Sequence, residues 1–217
     1  MARLRVGVLI SGRGSNLQAL IEATSDPAYP AEIALVVANQ PDAGGLQRAR
    51  SVGIRTEIIN HRAFNAKQGF EASIDAALRG AKVELVCLAG FMRILTPWFV
   101  ERWRDRLINI HPSLLPAFKG LDTHERVLAT GARFTGCTVH FVRPDVDDGP
   151  IVVQAAVPVM PGDTPDTLSA RVLGAEHHCY PLAVRLIAEG RVRLREERAD
   201  IVGAPPPADV VMFNPPG

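Results

Sequence analysis

The stretch Leu4-Arg5-Val6-Gly7-Val8-Leu9-Ile10-Ser11-Gly12-Arg13-Gly14-Ser15-Asn16-Leu17 decides the architecture of this chain. Residues 3–10 form a near-continuous aliphatic run, the pattern of a strand covered on both faces. The run breaks at a glycine turn, after which Leu17, Leu20, Ile21 and Thr24 mark one helical face. Strand, turn and helix start bring free N–H groups and the positive end of a helix dipole to one point, which makes an anion site. The match to a dinucleotide fingerprint fails, since its third glycine would fall on Leu17, and no Gly-Lys-Ser/Thr follows for a P-loop. The turn suits a single phosphate on a substrate better than NAD or ATP. A purely structural tight turn is the alternative.

Downstream, residues 33–37, 56–59 and 83–88 read as strands, and residues 45–52 and 67–78 as helices. Phe70, Ile74 and Leu78 lie on one face of the second helix, and Gly80 stops it. Strands alternating with helices predict an α/β fold with a mostly parallel, doubly wound sheet. The fourth strand runs into Ala89-Gly90-Phe91-Met92-Arg93-Ile94-Leu95, an apolar loop with one guanidinium. Such a loop can wall a slot for a flat heteroaromatic ring, while Phe91 and Leu95 taken singly suit loop packing. Thr96-Pro97 opens a short helix.

The run Leu107-Ile108-Asn109-Ile110-His111-Pro112-Ser113-Leu114-Leu115-Pro116 turns from apolar to polar at Asn109 and His111. Two apart on a strand, they share a face. Pro112 keeps His111 extended at the carboxyl edge, where open α/β sheets bind ligands. A donor amide beside an imidazole suits carbonyl chemistry, and a plain Asn-His-Pro-Ser turn is the other reading. Leu115-Pro116 is a candidate cis bond. A helix is expected over residues 123–130. Residues 136–142 alternate Cys137, Val139 and Phe141 against Thr138 and His140, as in a half-buried strand. Residues 143–150 make an acidic turn in which Asp145 and Asp148 read as solvated, and residues 151–157 pair back. Thr164-Pro165 caps a long helix towards Gly190, with Glu176 on it and a bend expected at Pro181. His177 and His178 lack metal-ligand spacing. Residues 191–195 read as a last strand. Residues 1–200 are expected to form one domain, and residues 201–217 an irregular Pro-rich tail carrying Pro205-Pro206-Pro207 and Pro215-Pro216.

A hydrophobic content of 47% over 217 residues is enough for a sizeable core. A net charge of +1 gives no reason to expect nucleic-acid or membrane-surface partners, and no run approaches transmembrane length. Cys87, Cys137 and Cys179 are odd in number, far apart and apolar in context, which points to buried reduced thiols. The apolar run at residues 6–10 is too short for a signal peptide, so the expected location is cytoplasmic.

Four motifs occur in order: Ile10-Ser11-Gly12-x-Gly14-Ser15-Asn16-Leu17, then the 89–95 loop, the 109–116 run, and Asp147-x-Gly149-Pro150. With them the chain resembles the folate-dependent phosphoribosylglycinamide formyltransferases of purine synthesis, from Leu4 to Gly190. The resemblance implies a single-domain formyltransferase fold with about seven strands, the C-terminal ones antiparallel. It implies catalysis by Asn109, His111 and Asp147, and a ribonucleotide phosphate held at Gly14, Ser15, Asn16 and Leu17. Glu176 also matches a position contacting glycinamide ribonucleotide. Folate binding falls on Lys67, Met92, Arg93, Ile94, Leu95, Asn109 and Arg143, with the 143–147 loop closing over the pterin. Lys67 stands where bacterial relatives often have arginine, which keeps the charge and loses the fork. Asp122 replaces a histidine of some relatives. Asp148 replaces a small residue and sets a second acid beside Asp147.

The reaction so implied is formyl transfer from the co-substrate 10-formyltetrahydrofolate to the amine of glycinamide ribonucleotide. It needs no metal, nucleic acid or membrane, and the chain would act as a monomer or homodimer. Formyltetrahydrofolate deformylase is the nearest rival, but usually adds an N-terminal regulatory domain. Methionyl-tRNA formyltransferase needs a C-terminal tRNA-binding domain and a basic surface. A non-catalytic nucleotide-binding module would not require the intact trio Asn109, His111 and Asp147.

Overall fold

Side chains alternate along each strand, so near-continuous aliphatic strands build a core on either side of one sheet. The structure, a computed structural model, describes residues 2–203, 212 and 214. Seven strands make the sheet: β1 (Leu4–Ile10), β2 (Ala31–Ala38), β3 (Thr56–Ile58), β4 (Leu85–Leu88), β5 (Leu107–His111), β6 (Phe134–Phe141) and β7 (Ile151–Pro158). Their order is β3-β2-β1-β4-β5-β6-β7, parallel through β5 and antiparallel from there on. Val6, Val8 and Ile10 face a core shared with α1 (Ser15–Ser25), α2 (Gly45–Ser51) and α6 (Pro165–Ala188), which contribute Leu17, Leu46 and Tyr180. Leu9 faces the opposite core, formed with Phe70, Ile74 and Leu78 of α3 (Lys67–Gly80) and Phe99 of α4 (Pro97–Arg102). The remaining helix is α5 (Thr123–Thr130).

The helices after neighbouring β1 and β4 thus pack on opposite faces. That reversal opens a crevice at the carboxyl ends of these two strands, where such sheets bind ligands. Helix α6 secures the edge from below. Its buried Tyr180 hydroxyl donates to the Leu88 carbonyl at 2.9 Å, at the end of β4.

The structure refines the sequence reading in several places. Residues 136–142 were expected to be half buried, yet Thr138 and His140 are 0% and 1% exposed. Helix α6 covers one side of β6, and the turn after His111 meets Thr138 on the other. Pro181 lies inside an uninterrupted α6, and its carbonyl accepts a hydrogen bond from Tyr29 Oη at 2.6 Å. The Leu115–Pro116 bond is cis. The strand expected at residues 191–195 forms as β8 (Val192–Arg195), but it does not join the sheet. It pairs with β9 (Arg198–Ile201) in a separate hairpin. Its turn carries Glu196-Glu197 instead of Asn-Gly or Asp-Gly, so the usual hairpin signal is missing. Pro205, Pro206, Pro207, Pro215 and Pro216 lie outside the described residues. Among the described residues no helix is long and apolar enough to cross a membrane, and the three cysteines are free and buried.

Buried carboxylates join α3 to α4. Glu71 accepts from the Thr96 backbone N–H at 2.8 Å and also from its hydroxyl. Asp75 binds Arg102 Nε at 2.7 Å, Arg79 Nε at 2.9 Å and Trp103 Nε1 at 3.0 Å. Burial pushes the Asp75 carboxyl up, but the two guanidinium groups outweigh it and leave its pKa below the usual value. A depressed carboxylate pKa adds stability above the unfolded-state value, and that stability is lost as pH falls through the folded value. Asp75→Asn is therefore expected to lower stability at neutral pH by about 1–2 kcal/mol, an amount discounted because both arginines are half in water. Urea unfolding at several pH values should show the gap between the two proteins closing in acid.

Candidate active site

The β1–α1 turn builds the first half of the site. Gly14 has φ +72° and caps α1 without any side-chain hydrogen bond. A Cβ at Gly14 would stand 2.6 Å from Gly45 Cα, so both the left-handed backbone and the close approach of α2 call for glycine here. Gly45 N–H donates to the Gly12 carbonyl at 3.1 Å, and Arg48 Nε donates to the Arg13 carbonyl at 3.1 Å. Both carbonyls are thereby drawn towards α2. The first-turn N–H groups of Ser15, Asn16 and Leu17 have no partner within the helix. Ser15 and Asn16 border a cleft of about 290 Å³ that is also lined by residues 11–14, Gln40, Ala89, Gly90 and Met92. Leu17 is 0% exposed and does not line the cleft. Asn16 donates from Nδ2 to Glu176 Oε2 at 2.7 Å, and its Oδ1 has no partner. Burial pushes the Glu176 carboxyl up, and the Asn16 hydrogen bond opposes that.

Ser11 joins this cleft to the 89–95 loop. Its N–H donates to the Gly90 carbonyl at 3.2 Å, and its hydroxyl accepts from Met92 N–H at 2.8 Å.

The second half lies along β5. His111 is 5% exposed, with Nδ1 3.2 Å from Asp147 Oδ2 and Nε2 2.9 Å from the Phe118 carbonyl. Both ring nitrogens therefore face oxygen acceptors, an arrangement that suits a ring protonated on both. Asp147 comes from the β6–β7 loop and also accepts from Gly120 N–H at 2.7 Å. The turn carrying Phe118 is fixed from beneath. Thr138 Oγ1 donates to the Ser113 carbonyl at 2.7 Å and accepts from Leu115 N–H at 3.1 Å.

His140 faces Asn109 across the β5–β6 ladder. Its Nδ1 stands 3.0 Å from the Phe141 carbonyl, an acceptor, so Nδ1 carries the proton. Nε2 is then free to accept from Asn109 Nδ2 at 3.4 Å. Burial pulls the His140 pKa down, which keeps the ring neutral and in that role. Asn109 thus spends one amide hydrogen on His140 and keeps the other for a ligand. Sequence reasoning passed over His140. The only signal was its place beside Thr138 on the polar face of residues 136–142.

The formyl transferase family matches residues 4–184. The chain belongs to the formyl transferase family. It is 52% identical to the trifunctional purine biosynthetic protein adenosine-3 of Bos taurus over 89% of its own length, and it spans only 19% of that longer protein. It is 42% identical to the phosphoribosylglycinamide formyltransferase of Escherichia coli (strain K12), over 92% of this chain and 94% of the relative. The crystal structure of glycinamide ribonucleotide transformylase 1 from Symbiobacterium toebii superposes with a TM-score of 0.89 at 44% identity, covering 92% and 94% of the two chains.

The residues expected to bind folate are placed unevenly. Met92, Arg93 and Ile94 are exposed, and Met92 lines the cleft. Leu95 and Phe91 pack into the core, as the bare loop-packing reading had it, so Leu95 has only backbone to offer. Lys67 is exposed on the first turn of α3. Arg143 is 8% exposed, and its guanidinium is held by Asp105 and Glu197. Asp122 precedes α5 with φ +55°. Asp148 is exposed, as expected of a solvated turn, and pairs with Lys119 at 2.6 Å. His178 is exposed, and His177 is partly buried. Among the described residues no group of three or more His, Cys, Asp or Glu is placed to hold a metal ion.

The open N–H groups at α1 should bind inorganic phosphate. Phosphate is expected to raise the melting temperature of the protein, as any ligand of the native state does. Gly14→Ala should weaken that response, because the new Cβ collides with Gly45. A melting temperature indifferent to phosphate would leave the turn a structural one.

Proposed function

We propose that this chain transfers the formyl group of 10-formyltetrahydrofolate to the amine of glycinamide ribonucleotide. The products are formylglycinamide ribonucleotide and tetrahydrofolate, a step of purine biosynthesis, and we assign it to the cytoplasm. The observation that carries the reading is the contact of Asp147 with His111 at the end of the strand that also carries Asn109. The 42% identity to the Escherichia coli enzyme across nearly its full length supports it.

In this reading the ribonucleotide phosphate sits on the N–H groups of residues 14–17, with Asn16 and Glu176 at its side. The folate enters past Met92, Arg93 and Ile94. The amine attacks the formyl carbon, and the new carbon–nitrogen bond gives a tetrahedral intermediate. Asn109 meets the oxyanion with its spare amide hydrogen. His111 releases the Phe118 carbonyl and turns its Nε2–H to the stronger, charged acceptor. Asp147 holds the ring at Nδ1 and helps carry the proton of the attacking nitrogen to the folate nitrogen as the old bond breaks. No covalent nucleophile or metal is required.

Incubation with 10-formyltetrahydrofolate should yield tetrahydrofolate only when glycinamide ribonucleotide is present. Formate released without the amine would favour the deformylase instead. Asp147→Asn should cut turnover by roughly 10²–10⁴ with little change in either KM, since the carboxamide can still accept from Gly120 but cannot serve as the base. Near-normal turnover in that variant would reduce Asp147 to a turn former.

A further inference from the structure

We propose that Glu197 and Arg143 are positioning residues for the reaction, the C-terminal hairpin acting through them to hold the Asp147 loop against His111. The proposal rests on the formyl-transfer reading and adds to it a part of the chain beyond the family match, which ends at residue 184.

The hairpin turn is the first observation. Glu196 and Glu197 have φ +46° and +59°, a left-handed pair that Asn and Gly adopt far more readily. A glutamate held there at a conformational cost points to a use for its side chain. Glu197 Oε2 accepts from Arg143 Nε at 2.5 Å, and Oε1 accepts from Arg104 Nη2 at 2.7 Å. One carboxylate therefore ties the segment entering β5 to the segment leaving β6. Those are the two strands that frame the site.

Arg143 passes this restraint on to the loop. Its guanidinium also donates to Asp105 Oδ1 at 2.8 Å and to the Val142 carbonyl at 3.2 Å. Its stem lies over Gly149. A Cβ there would stand 2.9 Å from Arg143 Cγ and would also strike the Phe141 carbonyl oxygen. Gly149 comes two residues after Asp147, so Arg143 pins the returning arm of the loop at its base. The loop is also held by Lys119–Asp148, exposed and screened, by Gly120 N–H and His111 Nδ1 on Asp147, and by Phe141 N–H donating to the Pro150 carbonyl at 2.9 Å. Without Glu197 a nearly buried guanidinium keeps one carboxylate, at Asp105, and the loop loses the restraint that Arg143 places over Gly149.

The test is a double-mutant cycle in the full-length protein. Glu197→Gln keeps shape and removes charge. It should lower kcat roughly tenfold, leave the KM for glycinamide ribonucleotide unchanged and speed amide hydrogen exchange at residues 143–149 while the sheet stays protected. In an Asp147→Asn background the same change should have little further effect on kcat, because both act through one carboxylate. The swapped pair Arg143→Glu with Glu197→Arg should recover part of the lost rate. Unchanged kcat and exchange in Glu197→Gln would overturn the proposal, and so would a loss that adds in full to that of Asp147→Asn. Should Glu197→Gln fail to fold, Glu197→Asp gives the same readouts. A wild-type protein unable to transfer formyl would instead defeat the underlying reading, so the two failures are distinguishable.

Discussion

The site depends on bringing a nearly buried carboxylate to an imidazole on another strand and keeping it there. Asp147 has its side chain 12% exposed, and His111 is more buried still. A charge taken out of water is stable only when its partners satisfy it. Here the partners are the His111 ring and the Gly120 N–H, both supplied by the β5–α5 segment. That segment in turn needs the Phe118 carbonyl where it is, which depends on Thr138 beneath it. The polar chain from Thr138 to Asp147 therefore behaves as a unit, and loosening one member leaves the others short of a partner.

The order of the strands decides where that unit meets a substrate. Reversal of the helix packing between β1 and β4 leaves the carboxyl ends of those strands open. Ser11 and Gly90, at the two ends, are hydrogen-bonded to each other, so the anion cleft and the 89–95 loop are parts of one wall. The antiparallel turn from β5 to β6 then sets His140 opposite Asn109. A parallel β6 would need a crossover there, and its loop could not return over the same edge. The two antiparallel steps, β5–β6 and β6–β7, thus let the short β6–β7 loop deliver an acid to a strand whose own residues supply the amide and the imidazole.

Much of this was legible in the residues. The glycine turn after an aliphatic strand, the polar pair Asn109 and His111 ahead of a proline, and the Asp147-x-Gly149-Pro150 loop each carry a local physical signature, and the structure brings them together. His140 was not legible, since a polar residue on an alternating strand normally faces water. The turn after His111 covers Thr138, and Asn109 and the Asp147 loop meet His140. The partners of Arg143 were not legible either, since Asp105 and Glu197 lie far from it in sequence.

The sequence by itself determined the elements, the parallel winding and the residue types that carry the chemistry. Those follow from periodicity, from glycine and proline, and from donor and acceptor inventories, all of which act over a few neighbouring residues. Only the tertiary structure decided which acceptors each nitrogen of His111 faces, which hydrogen of Asn109 stays free, and that β8 and β9 form a separate hairpin whose turn binds Arg143. Those outcomes rest on hydrogen bonds and ion pairs between segments remote in the chain. Such bonds are worth forming only where folding has already excluded water around them, and no local pattern in the sequence encodes that.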